Sequence, residues 1–262
     1  MLKQRIITAL IALALLLVVI FVLPPDAAKA FLGLMILGGA WEWTNFLRPE
    51  GPLVRFGFMA LIAALVLASG LALPAAAMPI LGAAIVWWGV ALVWTFFFPT
   101  PIPMILRWVC GVFVLIPLFV ALATLYTAGP LYLLIALFVV WGADVGAYFA
   151  GRQFGRVKLA PSISPGKTWE GVFGGLVVVA IVAAVFASML DLAPAVLIPF
   201  SMAAAALSVV GDLTVSMFKR TAGVKDSGSL FPGHGGILDR IDSVSAAAPL
   251  FAIGLMLAGV VG

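Results

Sequence analysis

The feature that most limits the fold of this chain is a succession of apolar runs, each close to the length that crosses a bilayer. They cover roughly 6–23, 27–47, 53–73, 76–98, 104–126, 130–150, 171–190, 195–218 and 243–261, and a spanning helix needs about 20 residues. In lipid every backbone polar group must find its partner within the protein, so runs of this kind fold as helices. The expected class is all-α: a polytopic integral membrane protein of about nine transmembrane helices. The 65% hydrophobic content agrees, since a soluble domain is about half apolar. No polar stretch is long enough to fold a separate soluble domain. Two regions are expected, residues 1–126 with five spans and residues 127–262 with four spans and the catalytic loops.

The first run follows Lys3 and Arg5 and precedes Ala28-Lys29-Ala30, which resembles a cleavage site. About 18 apolar residues exceed a usual signal core and can span, so the run is read as a retained helix. Proline and glycine mark the connections, while Pro117 and Pro199 fall inside spans and are expected to kink them. Gly151-x-x-x-Gly155 falls in a loop on this reading and carries no dimerisation signal. Cys110 sits in an apolar run as a core or lipid-facing residue.

Basic residues orient the chain. With the N-terminus cytoplasmic, one side holds Lys3, Arg5, Arg48, Arg55, Arg107, Arg152, Arg156, Lys158, Lys167, Lys219, Arg220, Lys225 and Arg240, and only Lys29 falls on the other. A miscounted span would scramble this parity. The pI near 9.5 is thereby accounted for without a nucleic-acid partner. Two cytosolic connections are long, 151–170 and 219–242, and long ordered loops usually carry function.

The segment 211–242 gathers Asp212, Asp226, Asp239, Asp242, Lys219, Arg220, Lys225, Arg240 and the single histidine, His234, in a chain that is 9% charged. Asp144 and Asp212 lie inside spans, near their cytosolic ends, and Asp239 and Asp242 lie just before the last span. Intramembrane carboxylates are costly and face polar cavities, so a shared cavity open to the cytosol is expected. Asp212 and Ser216 are four apart and share a helix face with Arg220, and Asp239 and Asp242 are three apart. Two or three carboxylates with a hydroxyl suit Mg²⁺, which takes few protein oxygens plus substrate phosphates. The alternative is a solvated salt-bridge cluster with Lys219 or Lys225.

Glycines 223, 228, 233, 235 and 236 are expected to let backbone amides approach phosphate oxygens, with Lys225 and His234 as further donors. Gly166-Lys167-Thr168 suggests a Walker A loop, but Pro161 stands where a glycine is required, and a transmembrane helix precedes the segment instead of a strand. Lys167 is either a phosphate-holding point charge or a positive-inside lysine. Glu42, between Trp41 and Trp43, is read as an interfacial or helix-pairing residue, and the two tryptophans as an interfacial belt. Asp144 and Asp212 could alternatively serve an ion-coupled transporter, although such sites lie near the bilayer midplane between repeats and no repeat is visible.

The run Ser216-Met217-Phe218-Lys219-Arg220, then Lys225-Asp226-Ser227-Gly228, then Pro232 through Asp242 resembles the signature of the phosphatidate cytidylyltransferases, or CDP-diacylglycerol synthases. Trp141-Gly142-Ala143-Asp144 and Ser164-Pro165-Gly166-Lys167-Thr168-Trp169-Glu170-Gly171 resemble the family's other motifs. The resemblance implies conversion of CTP and phosphatidic acid to CDP-diacylglycerol and pyrophosphate, with a homodimer in the bacterial inner membrane and the active site facing the cytoplasm. It implies that Asp212, Ser216, Asp239 and Asp242 form a two-cation centre, Mg²⁺ with K⁺. Asp144 joins the catalytic set. Lys167, Thr168, Lys219, Arg220, Lys225, His234 and Arg240 form the substrate-binding set. A CTP-dependent enzyme acting on another lipid is the neighbouring alternative.

Overall fold

The computed structural model describes residues 2–47, 51–230 and 235–261. Arg48 and His234, which carry part of the expectations above, lie outside the described residues. The chain is an all-α polytopic membrane protein, built from α1 (Leu2–Phe21), α2 (Pro25–Trp43), α3 (Pro52–Leu71), α4 (Ala77–Phe96), α5 (Met104–Ala128), α6 (Pro130–Phe154), α7 (Trp169–Met189), α8 (Pro194–Ala222) and α9 (Leu238–Leu257). Among the described residues, the seven helices α3 to α9 are long and apolar enough to cross a membrane. Proline opens α2, α3, α6 and α8, where its missing N–H costs nothing and its fixed φ suits a first turn. Pro117 and Pro199 lie within continuous helices. Ala28-Lys29-Ala30 lies inside α2, with Ala28 fully buried.

Two helices form the centre. The most apolar stretches of α5 and α9 are 72% buried, whereas those of α3 and α7 are 22% buried and present Leu53, Leu67, Phe173, Val177 and Ile181 outward. Against lipid there is no hydrophobic drive between helices, so close packing of small residues decides contacts. This is plain between α6 and α7. A Cβ added at Gly175 would lie 2.7 Å from the Ala143 carbonyl oxygen, and one at Gly171 would lie 2.9 Å from that of Ala147. Gly151 belongs to this seam: it lies in α6, not in a loop, and its Thr168 and Gly171 neighbours are in the same chain. Its spacing serves an intramolecular pair.

Three departures from the sequence reading matter for the site. The 151–170 connection is shorter than expected and contains an antiparallel hairpin, β1 (Lys158–Ala160) with β2 (Ser164–Thr168), pairing Lys158 with Thr168 and Ala160 with Ser164. Helix α9 starts at Leu238, so Asp239 and Asp242 are in its first turns and not before it; hydropathy marks where apolar residues begin, and the helical backbone begins earlier. The tryptophans around Glu42 are not a belt. Trp41 is 46% exposed beneath the Arg55 guanidinium, while Trp43 is fully buried. Positions two apart on a helix point to nearly opposite sides.

Candidate active site

The polar residues meet where the ends of four helices come together. Helices of 25 and 29 residues are about 37 and 43 Å long at 1.5 Å per residue. Each exceeds the ~30 Å hydrocarbon core. The α8 end is held by aromatic packing: Phe218 lies 4.9 Å from Trp43 and 6.1 Å from Trp94, ring centre to ring centre. Trp43 also donates its indole N–H to the Arg107 carbonyl at 2.9 Å. Lys219, the next residue, is buried beside this cluster.

On α8, Ser216 Oγ donates to Asp212 Oδ1 at 3.0 Å, as the four-residue spacing predicts. The other Asp212 oxygen, Oδ2, takes the Lys167 ammonium at 2.6 Å. On α9, Asp239 and Asp242 share one cation: Lys219 Nζ lies 2.8 Å from Asp239 Oδ1 and 3.8 Å from Asp242 Oδ2. Asp242 is within electrostatic reach of Asp212 and Lys167, and Asp144 on α6 is within reach of Asp212, Lys167 and Arg240. Carboxylates from α6, α8 and α9 therefore form one field with two lysines among them.

Lys167 reaches this centre because the hairpin is strapped down at both ends. At its base the Glu170 carboxylate accepts from the Val157 amide at 3.1 Å, and the Trp169 amide donates to the Val157 carbonyl at 3.0 Å. At its tip Arg220 Nε donates to the carbonyl of buried Ile163 at 3.3 Å. Thr168 is buried, and its Oγ1 accepts from the Gly171 amide at 3.2 Å, capping α7. Lys167 and Thr168 line a cavity of about 350 Å³ between α6, α7 and α8, whose wall runs from Asp144, Tyr148 and Arg152 to Val172, Leu176 and Val209. Lys225 and Arg240 are exposed.

Glu42 is the residue the sequence reading placed elsewhere. It is buried on α2, 5% exposed, and its carboxylate accepts three hydrogen bonds from the 223–237 connection and the start of α9. Ser227 Oγ and the Leu238 amide donate to Oε2, each at 2.8 Å, and the Ile237 amide donates to Oε1 at 2.9 Å. The glycines here serve this grip. A Cβ at Gly228 or Gly236 would collide with the Glu42 carboxylate, and Gly235 adopts φ +81°. The Ser227 and Gly236 amides donate to Asp239 Oδ2 at 2.9 and 3.0 Å. These four amides are thus engaged by carboxylates of the protein itself; of the glycines expected to approach phosphate, Gly236 gives its amide to Asp239 and Gly233 lies outside the described residues. The sequence held one signal for Glu42: an acid that follows a long apolar run within its helix calls for a partner of comparable polarity.

Whether Mg²⁺ suits these residues can be judged from the donors. Asp212 and Ser216 form an oxygen pair, with the Lys167 ammonium on the other Asp212 oxygen, and Asp242 carries a further carboxylate; both Asp239 oxygens are engaged by Lys219 and the loop amides. Among the described residues no three acidic, histidine or cysteine side chains converge closely enough to enclose a metal. One or two carboxylates completed by substrate phosphates is how Mg²⁺ is usually held, and the set fits that mode.

Comparison with known proteins bears on what this arrangement does. Residues 3–258 match the model of the cytidylyltransferase family. A phosphatidate cytidylyltransferase of Haemophilus influenzae is 40% identical across 96% of this chain and 98% of its own length. Another, of Pseudomonas aeruginosa, is 45% identical across 99% of this chain and 98% of its own. One of Bacillus subtilis is 41% identical over 50% of this chain and 49% of its own.

Proposed function

The chain belongs to the cytidylyltransferase family, and from that premise we propose that it transfers CMP from CTP to phosphatidic acid, giving CDP-diacylglycerol and pyrophosphate for phospholipid synthesis. The observation that carries this reading is the joining of Asp144, Asp212, Asp239, Asp242, Lys167 and Lys219 into one electrostatic field at the end of the helices, in a chain matched over nearly its whole length by proteins of that name.

A phosphate oxygen of the lipid attacks the α-phosphorus of CTP in line, the bond to the β-phosphate oxygen breaks, and pyrophosphate leaves with that electron pair. Both reactants are anions, so the barrier is largely repulsion, and positioning with charge stabilisation is what the protein supplies. Lys167 and Lys219 sit on the carboxylates with short contacts; each can turn its ammonium toward a phosphate without leaving the field. Arg220, Lys225 and Arg240 are further candidate charges for the substrates, and His234 is a candidate donor. The cavity between α6, α7 and α8 suits a lipid phosphate, since Asp144, Arg152 and Lys167 line it together with the apolar Val172, Leu176 and Val209. Asp212, Ser216 and Asp242 would hold Mg²⁺, with Asp239 beside them, and the ion when bound neutralises triphosphate oxygens and the leaving pyrophosphate. The family resemblance alone supports K⁺ as a second cation and a homodimer.

The topology read here has nine spans, a cytoplasmic N-terminus and the site facing the cytoplasm beneath a bacterial inner membrane. It is supported by contacts among the four connections that carry the basic residues. Arg107 donates to the Phe46 carbonyl at 2.7 Å, Asn45 to the Ser227 carbonyl at 3.1 Å, and Arg220 to Ile163 at 3.3 Å. Segments on opposite faces of a bilayer could not touch in this way.

The test is incorporation from CTP labelled at the α- or the γ-phosphate, with purified protein, phosphatidic acid and Mg²⁺. Cytidylyl transfer puts α-label in the lipid and γ-label in pyrophosphate. Lipid carrying γ-label would make the chain a CTP-dependent lipid kinase, and α-label in another lipid phosphate but not in phosphatidic acid would reassign the acceptor.

A further inference from the structure

Helix α9 carries Asp239 and Asp242, yet its first turn has no capping side chain of its own. The first amides of a helix have no intrahelical partner, and an anion near them is favoured by the helix dipole. Glu42 supplies that anion from α2, accepting from Ile237 and Leu238, 195 and 196 positions along the chain. The same carboxylate takes the Ser227 hydroxyl, and Ser227 is fixed on every polar atom: its amide donates to Asp239 and its carbonyl accepts from Asn45. Asn45 is in turn approached by Arg55 at 3.2 Å. From Ser227 the linkage continues through Asp239 Oδ2, then through Asp239 Oδ1 to Lys219, and on to Asp242.

We propose that Glu42 is a positioning residue for the transfer reaction, fastening Ser227 and the start of α9 so that Asp239 and Lys219 face the substrates in a fixed arrangement. The proposal rests on the functional reading above, and it assigns to the N-terminal half of the chain a part in the site. Glutamine cannot replace glutamate here. Three hydrogens point at the carboxylate from fixed donors or a confined hydroxyl, and an amide offers one oxygen while its NH₂ opposes a backbone N–H that cannot turn away. Aspartate keeps the charge but withdraws it by one methylene.

The experiment uses the full chain purified in detergent, with Glu42→Gln, Ser227→Ala and the double variant. Hydrogen exchange over 223–241 is compared with that over α6 and α7, and kcat and KM for CTP are measured per folded molecule. The expected result is exchange at least tenfold faster across 223–241 only, and kcat/KM lowered at least tenfold by Glu42→Gln. A smaller loss is expected from Ser227→Ala, with the double variant less than additive because both act through one linkage. A merely stabilising role would reduce the yield of folded protein and leave kcat and KM of the remainder unchanged. Unchanged exchange, or a kcat/KM within twofold of the unsubstituted protein, overturns the proposal. If the unsubstituted protein itself converts no CTP and phosphatidic acid, the functional reading falls instead, and the exchange measurement still decides whether Glu42 holds this segment.

Discussion

Replacing Lys219 by methionine removes the cation that Asp239 and Asp242 share while nearly preserving volume. Lys219 and its partners are mostly enclosed, with side-chain exposures of 10%, 7% and 11% for Lys219, Asp239 and Asp242. At an effective dielectric of about 20, a cation 3.8 Å from Asp242 Oδ2 is attracted by about 4 kcal/mol, and one at 2.8 Å from Asp239 by about 6 kcal/mol. Most of that gross energy offsets the desolvation of the ions. What remains when one partner alone is removed is typically about 3–5 kcal/mol, a large part of a native stability of about 5–15 kcal/mol. Lys219→Met should therefore lower the midpoint of thermal unfolding in detergent steeply and abolish turnover. Adding Asp239→Asn should restore a substantial part of the stability, since the amide oxygen can still accept from Ser227 and Gly236, and should restore no activity. A Lys219→Met protein destabilised by less than about 1 kcal/mol, or an Asp239→Asn change that adds to the damage, would refute the shared-cation reasoning.

Other changes separate binding from folding. Lys167→Ala breaks an ion pair whose side chains are 26% and 27% exposed, so stability should change by less than about 1 kcal/mol while KM or kcat worsens; unchanged kinetics would return Lys167 to a topology-setting charge. Gly175→Val should prevent α6 and α7 from closing, because even a Cβ there meets the Ala143 carbonyl at 2.7 Å; folded yield in detergent measures this, and a normal yield would contradict the seam.

The spans were legible because a bilayer sets their length, and the Asp212–Ser216 pair was legible because a helix repeats every 3.6 residues. Both inferences use local spacing. What escaped was non-local. Lys167 and Asp212 are in different elements, joined by a hairpin whose strands have no alternating apolar pattern. Glu42 meets its partners across most of the chain. The glycines around residue 236 were recognised as sites of close approach, but periodicity could not say what approaches them, and the answer is a carboxylate from α2. The buried face of Trp43 was hidden by the same gap: its partners Phe218 and Arg107 come from α8 and α5.

The central claim is that acids and bases from separate helices make one centre at which CTP and a lipid phosphate react. Asp212 is its hub, bonded to Ser216 and Lys167 and within reach of Asp144 and Asp242. The most direct measurement is Mg²⁺-dependent formation of CDP-diacylglycerol by Asp212→Asn against the unsubstituted protein at equal folded concentration. The account predicts a loss of about a hundredfold or more, with no recovery at raised Mg²⁺. Turnover within a fewfold of the unsubstituted protein would contradict it.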